Sequence, residues 1–190
     1  SPLGFEREGD ILLSQENSPA ALKAYERALA RNASSNLFIK SHRAHVAAGS
    51  PTAEQGLSGW LGKYPKDTLV RFYAAEYYTS KGRAQDAIIA YQTVLAQTPT
   101  HPIALNNLAG LYQSVADRRA LATAEKAYSK LPDVPAVQDT YGLALLRAGQ
   151  ADKALGLLRT ASSAMPGNPE VQLHLGEALL AAKQVSEGQR

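Results

Sequence analysis

The stretch TLVRFYAAEYYTSKGRAQDAIIAYQTVLAQTPTH, residues 68–101, decides the fold. Ala75 is a small residue on a first apolar stripe, Gly82 marks a break, and Ala87, Tyr91 and Val94 follow at helical spacing before Pro99. Two helices with a turn at Gly82 and a stop at Pro99 account for this order, because glycine tolerates the left-handed backbone of a tight turn and proline ends a helix. The pattern recurs along the chain. Prolines stand at 65, 99, 132 and 166, spaced 34, 33 and 34 residues apart. Alanines stand at 21, 53, 87, 120 and 154, spaced 32, 34, 33 and 34. Two residue types sharing one period make an internal repeat of about 34 residues.

A helix pair of that length resembles the tetratricopeptide repeat (TPR), so the expectation is an all-α chain of about eleven helices stacked as a right-handed superhelical solenoid. The units read as 1–33, 34–67, 68–101, 102–134 and 135–168, with a terminal helix over 169–183, all in a single domain 1–190. Residues 185–190 are expected to fray. Because the chain starts at Ser1, it reads as the C-terminal fragment of a longer protein.

Composition agrees with this architecture and removes other classes. Hydrophobic residues make up 45% and charged residues 19%, enough to bury a core and too few charges for a disordered polyelectrolyte. A net charge of +3, with Arg118-Arg119 as the one adjacent basic pair, offers no clustered basic face for phosphates, so no nucleic acid partner is expected. With no cysteine, there is no disulfide framework, thiolate metal site or catalytic thiol. No apolar run reaches the roughly 18 residues of a membrane span. A Gly-x-Ser-x-Gly elbow and a phosphate-cradling glycine loop are both missing, and no cofactor, metal or enzymatic activity is expected.

Function should therefore lie on the first helix of each pair, which lines the concave groove of such an array and meets a protein or peptide partner. The candidate contact residues are Phe38, His42, His45, Phe72, Glu76, Asn106, Asn107, Gln113 and Asp139. Phe38 and Phe72 occupy equivalent positions and either pack between first helices or stand exposed as anchors for a partner. Asn106 and Asn107 either hydrogen-bond an extended peptide or bond across helices. His42 and His45, three apart on one helix face, read as solvated groove histidines. His101 reads as exposed in a turn. A TPR subclass that clamps a terminal carboxylate needs groove lysines, and Leu69, Phe72, Ile103, Ala136 and Asp139 stand at those positions instead. A bare apolar face near Leu175, Leu179 and Leu180 suggests homodimerisation through the last helix.

Several motifs go beyond generic repeat residues: Ala104-Leu-Asn-Asn-Leu-Ala109 with Tyr112, Arg119-Ala-Leu-Ala-Thr-Ala-Glu-Lys-Ala-Tyr128, Asp139-Thr-Tyr-Gly142, His174-Leu-Gly-Glu-Ala-Leu179, and Trp60-Leu-x-x-Tyr-Pro-Lys-Asp67. Together they resemble the C-terminal repeats of the PrsT-like TPR lipoproteins of the PEP-CTERM/exosortase system, although Leu143 stands where that pattern carries Trp. The resemblance implies a periplasmic or outer-membrane-attached scaffold linked to exopolysaccharide production or surface-protein sorting.

Overall fold

The computed structural model describes residues 1–188, and side chains through Lys183. Among the described residues there are eleven helices and no strand. They are α1 (Pro2–Ser14), α2 (Ser18–Leu29), α3 (Ser35–Ala47), α4 (Ala53–Lys63), α5 (Thr68–Ser80), α6 (Ala84–Gln97), α7 (Pro102–Ser114), α8 (Ala120–Tyr128), α9 (Pro135–Arg147), α10 (Ala151–Ala164) and α11 (Pro169–Gly188). The last helix runs past the expected stop at 183, since no proline or left-handed cap interrupts it. Of the stretch expected to fray, 185–190, the side chains and the final two residues lie outside the described residues.

The chain divides into two compact units, Ser1–Tyr77 and Tyr78–Arg190. In the first, α1 packs on α2, α2 on α3 and α3 on α4. In the second, each helix from α6 to α11 packs on its neighbour, and the alternate helices α7, α9 and α11 also touch in sequence.

The intra-pair turns share one hydrogen-bond pattern. After α1, α3, α5, α7 and α9, an amide bonds three residues back, and the next amide bonds five back, as in Gly82 to Thr79 (3.0 Å) and Arg83 to Tyr78 (2.9 Å). This is the Schellman closure, which needs a left-handed residue. Gly49, Gly82 and Gly149 supply it at φ of 66°, 69° and 76°, while Glu16 and Ala116 are forced into it at 59° and 52°.

First helices are fastened at their starts by side chains. Ser34, Asp67, His101 and Asn168 accept amides of the opening turn of α3, α5, α7 and α11. His101 is thus a half-buried cap, and the expectation of a merely exposed turn residue is corrected: its Nδ1 accepts the Ala104 amide at 3.2 Å. Prolines open α7, α9 and α11, where the lost amide had no partner to forfeit.

The core is built by size matching inside each pair. Tyr25, Leu57, Tyr91, Ala124 and Leu158 hold equivalent places on the second helices, each at most 1% exposed. They meet small first-helix residues. A methyl group on Gly9 would stand 2.6 Å from the Tyr25 ring, and one on Gly142 would stand 2.7 Å from Leu158 Cγ. Among the described residues nothing lies within 4 Å of the same methyl on Gly176, their counterpart on α11.

Candidate partner-binding groove

The first unit buries two of its five expected contact residues, Phe38 and His42. Phe38 is 8% exposed and stacks on Trp60 of α4, with ring centroids 4.4 Å apart, so it is buried against the second helix of its own pair rather than exposed as an anchor. His42 is 2% exposed, which corrects the expectation of a solvated histidine. Its Nδ1 lies 2.7 Å from the Tyr73 hydroxyl, and the Tyr73 and Tyr77 rings meet it edge-on. Burial, reinforced by neighbouring His45, lowers its pKa to about 4, so it is neutral at pH 7 and shares a neutral hydrogen bond with the tyrosine. The cause is packing: in place of water, the helix face around His42 meets three aromatic rings. His45 is partly exposed, with Nε2 3.7 Å from Glu26. Phe72 is half-buried and Glu76 is exposed.

Asp67 stitches this unit together. Its Oδ2 accepts from the Ser35 hydroxyl and the Trp60 indole, both at 2.8 Å, and its Oδ1 caps α5 at Val70. Burial opposes the charge, but the Val70 amide and the Trp60 and Ser35 donors outweigh it and hold the carboxyl below its usual range. Lys40 likewise reaches back one repeat to Glu6 and Asp10, at 2.9 and 2.8 Å.

The second unit keeps a polar surface open. Between α7, α9 and α11 lies a cavity of about 430 Å³ whose walls include Gly110, Gln113, Asp139, Arg147, Glu170 and His174. Gln113 and Arg147 also line a second cavity of about 580 Å³, which runs along the α7–α8 turn and the end of α9. Asn106, Gly110 and Gln113, four and three residues apart, share one face of α7.

Of the expected residues here, Asn107 has the cross-helix role: its Nδ2 donates to the Tyr91 hydroxyl at 2.9 Å. Gln113 Nε2 donates to the Thr140 carbonyl at 3.1 Å, which leaves its Oε1 buried with no donor. Asn106 Oδ1 is buried in the same condition. Asp139 holds His174 Nδ1 at 3.0 and 3.1 Å, and this bond raises the histidine's pKa against the effect of its partial burial. Arg147 meets Glu177 at 3.0 Å.

Arg147 and His174 were not foreseen as groove residues. One signal could have pointed to His174. Polar partners on successive first helices stand about one repeat apart, as Glu6 and Lys40 do at 34 residues and Asp139 and His174 at 35. Among the described residues, no three His, Asp or Glu side chains converge as metal ligands would.

Two tetratricopeptide-repeat family models match the sequence, one over residues 6–50 and 43–102 and the other over 145–190. No curated protein sequence matches. Among solved structures, a TPR protein from Parabacteroides merdae superposes with a TM-score of 0.77 at 14% identity, covering 99% of this chain and 76% of that one. MamA superposes at 0.69 with 20% identity, over 87% of this chain and 92% of that one. A thermophilic TPR protein of Thermus thermophilus gives 0.59 at 20% identity, over 95% and 100%. At these identities the likeness is one of fold.

Proposed function

From the premise that the chain belongs to the tetratricopeptide-repeat family, we propose that it is a non-catalytic interaction module holding a polypeptide along α7, α9 and α11. TPR domains generally mediate protein–protein interactions. The observation that carries the location is the open cavity between these three helices, flanked by amide oxygens of Asn106 and Gln113 that have no donor among the described residues. Buried polar atoms are normally paired, so two orphans on one helix face point to donors supplied from outside.

The test is retention of the partner by the full-length protein carrying Asn106→Leu and Gln113→Leu together. Partner capture should fall at least tenfold with an unchanged helical circular dichroism spectrum. Unaltered capture would refute the location.

The system served is a bacterial cell-envelope pathway of exopolysaccharide assembly or export, or of PEP-CTERM protein sorting, with the protein attached to the outer membrane or held in the periplasm as a lipoprotein. Support comes from the motifs around Trp60, Asn106, Tyr128, Gly142 and His174. Among the described residues no helix is long and apolar enough to cross a membrane. Fractionation of cells producing the full-length protein tests this, and recovery in the cytosolic fraction would sink it. A second copy is a further candidate partner through α11, where Leu179 and Leu180 are 44% and 66% exposed and, among the described residues, nothing lies within 4 Å of a methyl group on Gly176. A monomer by light scattering counts against that contact.

A further inference from the structure

The charges around the α7–α9–α11 cavity do not balance. Two bases face it, Arg147 and His174, and both are engaged: Arg147 with Glu177 and His174 with Asp139. Glu170 also lines the cavity, is exposed, and has no ion pair among the described residues. To this carboxylate are added the Asn106 and Gln113 oxygens, both buried and both without a donor. Gln113 cannot relieve this by rotating its amide, because its nitrogen is committed to the Thr140 carbonyl. The surplus is therefore one of acceptors and negative charge. It is local, since the whole chain carries a net charge of +3.

From this surplus we infer that the groove takes a basic peptide, with a Lys or Arg side chain meeting Glu170 and peptide or side-chain N–H groups meeting Asn106 and Gln113. This rests on the proposal that the groove binds polypeptide. An acidic segment would bring its carboxylates against Glu170, Asp139 and Glu177, where both bases of the cavity, Arg147 and His174, already stand in ion pairs. A neutral segment would satisfy the amide oxygens and leave Glu170 unmatched. Complementary charge also steers encounter and excludes wrong partners, which gives the surplus a use in selection.

Residues 1–190 are immobilised and used to select from a display library of random dodecapeptides. An enriched peptide is then titrated by fluorescence anisotropy against the unaltered protein and against the Glu170→Lys, Glu170→Gln and Gln113→Leu variants, each checked for helical content. Enriched peptides should be rich in Lys or Arg. Glu170→Lys should weaken binding at least tenfold, Glu170→Gln severalfold, and added salt should weaken it further. Acidic or neutral enriched peptides that Gln113→Leu weakens would overturn the charge assignment while leaving the groove as the binding site. Enriched peptides indifferent to all three variants, or no enrichment at all, would overturn the groove proposal and this inference with it.

Discussion

The same substitution should have opposite effects at two equivalent glycines. Gly142→Ala and Gly176→Ala each replace glycine inside a helix, and each gains about 1 kcal/mol of helix propensity. At Gly176 nothing among the described residues lies within 4 Å of the new methyl, so the gain stands. At Gly142 the methyl would meet Leu158 Cγ at 2.7 Å and Cδ2 at 2.9 Å. Leu158 is fully buried among Leu145, Ala154 and Ala178, so it cannot relieve the contact by turning out to solvent. Overpacking of this kind costs about 1–3 kcal/mol, which leaves Gly142→Ala destabilising by about 1 kcal/mol and the two variants about 2 kcal/mol apart. Urea unfolding followed by circular dichroism should move the midpoint down by about 0.5 M for Gly142→Ala and up by a similar amount for Gly176→Ala, at a slope of about 2 kcal/mol per M. Amide exchange should place the changes in α9–α10 and α11 respectively, which guards against an array that does not unfold all at once. Adding Leu158→Ala should recover about 1–2 kcal/mol of coupling with Gly142→Ala. If Gly142→Ala stabilises as much as Gly176→Ala, the size-matching account of the helix pairs is wrong.

Ala116→Gly should stabilise the protein by about 1 kcal/mol, because Ala116 sits at φ 52° where three of its repeat counterparts, Gly49, Gly82 and Gly149, are glycines; the reverse change, Gly82→Ala, should cost about as much, and equal melting midpoints would contradict both. Asp67→Ala removes a cap and the partner of Trp60 and Ser35 at once. It should cost about 2–3 kcal/mol and red-shift or quench the Trp60 emission, and an unfolding curve superimposable on the parent's would refute its stitching role. The two histidines His42 and His174 should titrate in opposite directions by NMR. His42, with its pKa lowered to about 4, binds protons more readily when unfolded, so its contribution is present above pH 6.5 and is lost between pH 6.5 and about 4, at a cost of about 1–3 kcal/mol after screening. His174, whose pKa is raised, stabilises fully below pH 6.5 and loses that contribution as pH climbs through its folded value. Coincident titration of both near 6.5 would show that neither environment is as described.

The architecture was legible because it is written in residues whose physics leaves little choice. Gly82 and Gly149 are needed for the turn, Pro99 and Pro166 end second helices, and Ala87 and Ala154 sit where helices approach closely. The groove was less legible, because side-chain fate depends on neighbours on other helices, between 16 and 31 residues away. Phe38 and His42 stand on a first helix as contact residues should, yet Trp60 and Tyr73, more than 20 residues downstream, bury them. Asn107 was readable as polar, but only the position of the Tyr91 hydroxyl shows that it is spent inside the fold. Adjacent Asn106, turned by about 100° on the helix, keeps an unpaired oxygen. Sequence spacing distinguishes helix faces, and it cannot say which of two neighbouring asparagines finds a partner.

The central claim is that polypeptide is held along α7, α9 and α11. Its most direct measurement is NMR of the side-chain amides of Asn106, Asn107 and Gln113 while a peptide selected on the protein is added. The account predicts large shifts at Asn106 and Gln113, whose oxygens gain donors, and a small one at Asn107, which keeps its bond to Tyr91. Saturating peptide with Asn106 and Gln113 unmoved, and shifts confined to residues outside these three helices, would contradict it.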